Sequence, residues 1–180
     1  QRQGLQRVAR AVDALVQAGK VRHIGLSNFS PAAITEWFDV AEAEGLARPV
    51  ALQPHYNLVE REFETNGLRD VSVAENLAVF PYYSLAKGFL AGKYRDEADA
   101  NREGASVRAA GAAEYLNPTG RAVLAALDEI AASRGATVAT VALAWLRQQP
   151  TVAAPIASAR TKEQLRDLLA SMTLELSAGD

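Results

Sequence analysis

Polar side chains follow each of four short apolar runs, at the points where the runs end. They are Ser27 and Asn28 after the first run, Gln53, Tyr56 and Asn57 after the second, Tyr83 and Ser84 after the third, and Ser158 and Arg160 after the fourth. A hydrophobic core has no use for such groups, because each buried polar group left unpaired costs about 1–3 kcal/mol. We therefore expect a ligand at this set of strand ends, with capping of the following helix as the alternative for Ser27.

The chemistry of these side chains suits the parts of a dinucleotide. A carboxamide needs both a donor and an acceptor, which Asn28 and Gln53 offer, while Ser27 can serve as either. A flat ring stacks on a flat partner, and Tyr83 can supply one. A phosphate takes backbone N–H groups and positive charge, which the turn at residues 84–88 and the start of the last helix can provide.

The elements that must position these groups alternate along the chain. The pattern predicts strands at 21–29, from 49, from 77 and at 151–158, and helices at 5–16, 31–44, 65–75, 119–134, 137–149 and 161–171. Ser30 and Gly45 bound the second helix as N-cap and stop signal. The long polar stretch 86–118 predicts a functional loop that is partly helical.

Strands that alternate with helices predict a parallel sheet with right-handed crossovers. Four strand–helix units make either half of an eight-stranded barrel or an open sheet. The glycine-rich fingerprint GxGxxG is absent, which disfavours a Rossmann fold. In a barrel, ligands bind at the carboxyl ends of the strands, with phosphates near the last two.

Composition narrows the class of protein. The chain has 180 residues, one domain or part of one, with 49% hydrophobic and 22% charged residues and a net charge of −2. This balance argues against nucleic acid or an anionic membrane as partner, and no apolar run is long enough to span a bilayer. The absence of cysteine and the presence of only two histidines disfavour a metal site. We expect a cytoplasmic, metal-free protein. Because the chain opens inside a helix and without Met, we also expect a fragment of a longer protein.

Five motifs resemble the aldo-keto reductase family in the family's own order. They are GKVRHIGLSNFS, LQPHYNLVERE, FPYYSLAKGFLAGKYR, TVATVALAWLRQQP and PIASARTKEQL. The resemblance runs from about Leu5 to Leu169. It implies an α/β fold, a parallel (β/α)8 TIM barrel, of which residues 1–180 form the C-terminal, cofactor-binding half with no second domain.

The resemblance implies an NADP-dependent oxidoreductase that transfers hydride between NADPH and an aldehyde or ketone. Carried over by position, Ser27, Asn28 and Gln53 hold the nicotinamide carboxamide and Tyr83 stacks on its ring. The pyrophosphate path is lined by Ser84, Leu85, Lys87 and Gly88. The 2′-phosphate meets Ser158 and Arg160, and the adenosine end meets Gln164. The fork of Arg160 suits a dianionic phosphate, and no acidic residue precedes Glu163 in that segment. An ordinary solvated charge is the alternative for Arg160.

Catalytic residues of the family are expected to be missing from this chain. The family's Tyr acts as general acid with Lys, Asp and His, and the motifs that carry these residues do not occur here. Four tyrosines lack the required context: Tyr56, Tyr82, Tyr94 and Tyr115. We expect His23 to pack or to hydrogen-bond locally, and Lys93 to hold the loop or approach phosphate. His55 is the histidine nearer to the site. No catalytic residue is assigned.

Two other interpretations stay open. The first is a non-catalytic NADP-binding regulatory subunit, similar to the potassium-channel β subunits, which the family's fold also serves. The second is a half-barrel that folds alone or pairs with another copy. An open half-barrel would leave strand edges and an apolar face uncovered, so we expect the isolated chain to self-associate.

Overall fold

Two compact units divide the chain. The computed structural model describes residues 2–96, 98–99 and 109–180. Unit 1 consists of Gln1–Pro54 and Glu62–Phe80, and unit 2 of His55–Arg61 and Pro81–Asp180. Both units are therefore discontinuous in sequence. The expectation of one partial-barrel domain without a second one stays a prediction.

Unit 1 is a parallel α/β layer. Three parallel strands, β1 (Ile24–Ser27), β2 (Pro49–Gln53) and β3 (Ala78–Val79), lie in the order β1-β2-β3. The helices are α1 (Arg2–Gln17), α2 (Pro31–Glu44) and α3 (Leu68–Ala74), and a 3-10 turn spans Glu62–Glu64. The parallel pairing that strand–helix alternation predicts is confirmed.

Local signals set the bounds of α2. Ser30 accepts a hydrogen bond from the Ala33 N–H, and Pro31 occupies the first helical position. Gly45 ends the helix at φ +67, a left-handed conformation that glycine adopts without a Cβ penalty. Between these ends the helix buries one apolar face, which comprises Ile34, Trp37, Phe38, Val40 and Ala41.

Unit 2 is helical. It contains a 3-10 segment at Ala86–Ala91 and the helices α4 (Ala109–Ala113), α5 (Pro118–Arg134), α6 (Val138–Arg147) and α7 (Lys162–Ala170). Seven of the ten residues of α6 are buried, so this helix forms the centre of the unit. Around it lies a cluster of buried residues that includes Phe89, Leu90, Tyr94, Leu124 and Leu127.

The predicted fourth strand at 151–158 is wrong. None of these residues belongs to a strand of the sheet: Val152 forms only an isolated bridge, and Thr151 is left-handed at φ +72. The Ile156 N–H donates to the Pro81 carbonyl at 2.9 Å, a bond of the kind that a strand would repeat. The run TVAAPIAS is therefore not a fourth strand.

The predicted loop 86–118 is helical at both ends, in the 3-10 segment and in α4, as expected. Its residues 97 and 100–108 lie outside the described part of the chain. Among the described residues, no helix combines the length and the apolar character that crossing a membrane would need.

Candidate functional site

Ser27 and Gln53 lie beside each other at the carboxyl ends of neighbouring strands. The register of β1 and β2 pairs these two residues, and the Ser27 hydroxyl donates to the Gln53 backbone carbonyl at 2.9 Å. Ser27 does not cap α2, since Ser30 does. Because its proton is donated, the Ser27 oxygen can only accept a further hydrogen bond, such as the N–H of a carboxamide. The Gln53 side chain is exposed at the same edge.

Asn28 continues directly from β1 in a left-handed conformation, at φ +59. Asparagine tolerates this region better than most residues do. The reversal ends the strand there, and the Asn28 side chain is exposed. Unit 1 thus brings together the three residues that were predicted to hold a carboxamide.

Tyr83 presents an exposed ring from a left-handed backbone in unit 2. Its φ is +51, and 41% of the residue is exposed to solvent. A tyrosine in this region is uncommon, and such conformations gather where a ligand or a mechanism needs them. The His55 and Tyr82 rings make T-shaped contacts with it, with centroids at 5.5 and 5.3 Å. Neither of these two rings is stacked in parallel on the Tyr83 ring.

The turn that follows Tyr83 has a left-handed backbone. Ala86, Lys87 and Gly88 are left-handed in succession, at φ +46, +58 and +102. The Ala86 and Gly88 N–H groups are used inside the turn, where they donate to the Tyr83 and Leu85 carbonyls at 2.7 and 2.8 Å. Ser84 does not offer its hydroxyl proton to this turn, because the buried Oγ donates to the Pro81 carbonyl at 2.9 Å. Leu85 is half-buried beside the buried cluster.

Lys87 is already paired with a carboxylate. Its ammonium lies 2.8 Å from Glu114 and about equally far from the Tyr83 and Tyr115 ring centroids, at 6.0 and 5.9 Å. A phosphate would have to compete with Glu114 for this charge. Lys93 lies nearby, since a Cβ built on Gly88 would stand 3.7 Å from its Nζ.

The segment predicted to bind a 2′-phosphate leads into α7. Ser158 and Arg160 are exposed, and Thr161 caps the helix by accepting from the Gln164 N–H at 3.3 Å. The Gln164 side-chain oxygen accepts from the Arg160 backbone N–H at 2.9 Å, so it serves the cap rather than standing free for an adenosine. A hydrogen bond from the Glu163 backbone N–H, and then one from the Thr161 hydroxyl, lower the pKa of the Glu163 carboxyl. An anionic side chain thus occupies the start of α7; Glu163 was named from the sequence, but these hydrogen bonds were not.

Tyr115, His23 and His55 lie outside the predicted site. Burial, followed by the negative charge of Glu60, raises the pKa of Tyr115, so this phenol holds its proton firmly. A catalytic acid needs a pKa nearer the working pH, which argues against such a role. His23 precedes β1 and is exposed, so the expectation that it packs inside a strand is wrong, while its alternative, a local hydrogen bond, stays a prediction. His55 stacks on Tyr82 at 5.2 Å between centroids.

Metal coordination has no support in the described ranges. No group of three or more His, Cys, Asp or Glu side chains gathers there in a way that could hold an ion.

Sequence reasoning missed the role of Asn57. It is fully buried, and its side chain connects the 57–60 turn with the backbone of Tyr83. Its place after the second strand was visible, but the partners of its amide were not.

The described structure is that of an α/β protein. It has a parallel sheet with polar side chains at its carboxyl ends, and a helical unit with an exposed aromatic ring beside a left-handed turn. The chain belongs to the aldo/keto reductase family, whose family model matches residues 4–180. The resemblance seen in the sequence is confirmed.

Three relatives illustrate the match. Protein tas of Escherichia coli (strain K12) is 36% identical over 178 residues, which cover 92% of this chain and 48% of that protein. L-glyceraldehyde 3-phosphate reductase of the same strain is 29% identical over 168 residues, covering 91% and 48%. An aldo-keto reductase of Babesia bovis is 29% identical over 161 residues, covering 87% and 56%. The chain thus spans about half the length of these relatives.

Proposed function

We propose that this chain is the cofactor-binding half of an NADP-dependent oxidoreductase that reduces aldehydes or ketones, and that it forms half of a (β/α)8 barrel. The observation that carries the proposal is the direct succession of an exposed, left-handed Tyr83 and the left-handed turn 86–88. A ring platform followed by a turn that contains Lys87 and has Lys93 beside it matches the order of nicotinamide and pyrophosphate in a dinucleotide. The family match and the reductase among the relatives support the same reading.

The residues present fit such a cofactor at several points. Ser27, whose hydroxyl proton is engaged, would accept from the carboxamide N–H, and Asn28 and Gln53 would complete the contact. Tyr83 would stack on the nicotinamide ring. Ser84, Leu85, Lys87 and Gly88 would line the pyrophosphate, although the Gly88 N–H already donates to the Leu85 carbonyl at 2.8 Å.

Lys93 would add positive charge at the pyrophosphate, because it lies against Gly88 while Lys87 is neutralised by Glu114. The start of α7 would receive the adenosine end. Arg160 and Ser158 would meet the 2′-phosphate, although Glu163 weakens the positive end of the helix dipole for a second anion. Gln164 would contribute its amide nitrogen, because its oxygen serves the cap.

The chain's own residues bind and orient rather than transfer protons. When bound, the cofactor supplies hydride to the carbonyl carbon of the substrate. Stacking on Tyr83 fixes one face of the nicotinamide, so the other face is the one open to a substrate. No catalytic residue of this chain is proposed, and a general acid would come from outside the motifs present here. We further propose a cytoplasmic protein with a small carbonyl substrate. A metal, nucleic acid and membranes play no part in the proposal.

Binding measurements test the cofactor assignment. Calorimetry on the protein as its gene encodes it should give tighter binding of NADPH than of NADH. Tyr83→Ala should weaken both by about 10-fold, the worth of one aromatic stacking contact. Arg160→Ala should weaken NADPH alone by a similar factor, because only NADPH carries the 2′-phosphate. Arg166→Ala, an exposed charge farther along α7, serves as control. Equal affinities for the two cofactors, unchanged by Arg160→Ala, would overturn the NADP assignment.

Activity distinguishes the enzyme from the regulatory alternative. NADPH oxidation in the presence of simple aldehydes supports a reductase, whereas tight NADPH binding without turnover over a broad carbonyl panel favours a regulatory subunit.

Self-association of the isolated chain, proposed because an open half-barrel would expose apolar surface, is tested by light scattering. A monomer at all concentrations would refute it.

A further inference from the structure

Asn57 is a buried amide whose two ends serve different parts of unit 2. Its Oδ1 accepts from the Val59 and Glu60 N–H groups at 2.9 and 3.0 Å, which closes the 57–60 turn. Its Nδ2 donates to the Tyr83 carbonyl at 2.9 Å. The residue is 0% exposed, so these partners, rather than water, satisfy the amide.

Tyr83 needs such a restraint more than an ordinary residue would. Its backbone is left-handed at φ +51, a region that a residue with a Cβ avoids unless its surroundings impose it. The Tyr83 carbonyl is held from two directions, by Asn57 Nδ2 and by the Ala86 N–H at 2.7 Å. Tyr83 is 41% exposed, and its ring has T-shaped contacts with His55 and Tyr82 and a distant Lys87 ammonium at 6.0 Å. The direction of the ring therefore depends in large part on the backbone that carries it.

We propose that Asn57 is a positioning residue for nicotinamide binding: its buried amide holds the left-handed backbone of Tyr83 and so aims the ring that stacks on the cofactor. This inference rests on the proposed function. It assigns to Asn57 an effect on the nicotinamide end of the ligand and none on the adenosine end, which α7 would bind.

Asn57→Asp is the discriminating variant. The carboxylate keeps the oxygens that accept from Val59 and Glu60, and it removes the N–H that the Tyr83 carbonyl accepts. Two ligands are compared by calorimetry on the protein as its gene encodes it: NADPH, and 2′,5′-ADP, which has the adenosine end but no nicotinamide. We expect Asn57→Asp to weaken NADPH by about 10-fold and to leave 2′,5′-ADP within about twofold.

A double-mutant cycle shows whether Asn57 acts through the ring. In a Tyr83→Ala background, Asn57→Asp should change NADPH affinity by less than about twofold, because the ring to be positioned is gone. Asn117→Asp is the matched control, since Asn117 caps α5 through its Oδ1 in the same unit. If Asn57→Asp does not fold, Asn57→Ser removes the amide donor without adding charge and must give the same pair of affinities.

The outcomes separate this inference from the proposed function. A wild type that binds neither NADPH nor 2′,5′-ADP overturns the proposed function and the positioning role together. A wild type that binds both, with a variant that loses neither or loses both equally, overturns the role of Asn57 alone. An undiminished effect of Asn57→Asp in the Tyr83→Ala background does the same.

Discussion

Gly120, the third residue of α5, offers a test in which two physical effects have opposite signs. It is buried, and a Cβ at this position would stand 2.0 Å from the Tyr115 carbonyl oxygen and 3.1 Å from Phe89 Cζ. Helix propensity alone favours Gly120→Ala by about 1 kcal/mol. The close approach of the Tyr115 backbone opposes it.

The steric effect should win. Carbon–oxygen contacts of about 3.3–3.6 Å are the closest ordinary ones, so the backbone would have to move by more than about 1 Å. Such overpacking costs about 1–3 kcal/mol. The movement would also strain the N-cap, where Gly120 N–H donates to Asn117 Oδ1 at 2.9 Å, a contact worth about 1 kcal/mol. After subtraction of the propensity gain, Gly120→Ala should destabilise the fold by about 1–3 kcal/mol.

Two other helical glycines supply matched controls for urea unfolding followed by circular dichroism. A Cβ at Gly4 meets nothing within 4 Å, so Gly4→Ala should be neutral or slightly stabilising. A Cβ at Gly111 would meet Lys87 Cδ at 2.6 Å, but a flexible side chain can move, so Gly111→Ala should cost less than Gly120→Ala. Should Gly120→Ala unfold at the wild-type urea concentration or above it, the tight contact between α5 and the Tyr115 carbonyl would be refuted.

Two ion pairs give further predictions. Glu114→Gln should strengthen NADPH binding by about two- to fivefold, because it frees the Lys87 ammonium from a surface pair worth about 0.2–1 kcal/mol. Calorimetry that finds weaker binding would contradict the competition between Glu114 and the cofactor phosphate for Lys87. Arg95 donates to both Asp128 oxygens at 2.6 and 2.7 Å and thereby lowers the pKa of Asp128 below its usual 3.8. A lowered pKa gives stability that protonation removes, so the wild type should melt slightly above Asp128→Asn at neutral pH and lose this advantage as pH falls below 3.8. A melting-temperature difference between the wild type and Asp128→Asn that persisted well below pH 3.8 would contradict this explanation.

Elements with local signals were predictable from the sequence. The bounds of α2 follow from Ser30, Pro31 and Gly45, whose effects act within one turn of the helix. Strand–helix alternation likewise predicted the parallel pairing of β1, β2 and β3. The polar residues at the ends of β1 and β2 could be recognised because they interrupt apolar runs.

Features that depend on distant partners were not predictable. Residues 151–158 have the composition of a strand, but a strand exists only where a neighbour supplies a ladder of hydrogen bonds. Here Val152 forms an isolated bridge and Ile156 bonds to Pro81, and no strand results. The left-handed backbone at residue 83 was not predictable, because the residue there is tyrosine and not glycine or asparagine, which adopt this conformation routinely. The Tyr83 carbonyl accepts a hydrogen bond from the Asn57 amide, 26 residues earlier in the chain, a partner that the sequence does not reveal.

Segments of the two units alternate along the chain, and this order has a consequence for biosynthesis. Residues 55–61 belong with Pro81–Asp180, although residues 62–80 return to the other unit in between. During synthesis on a ribosome, Asn57 emerges well before Tyr83, whose carbonyl accepts its hydrogen bond. Until Tyr83 has emerged, the Asn57 amide nitrogen can donate only to other partners, such as water. For the same reason, no single cut of the gene yields either unit as an uninterrupted product, and dissection by limited proteolysis would leave each unit in at least two pieces.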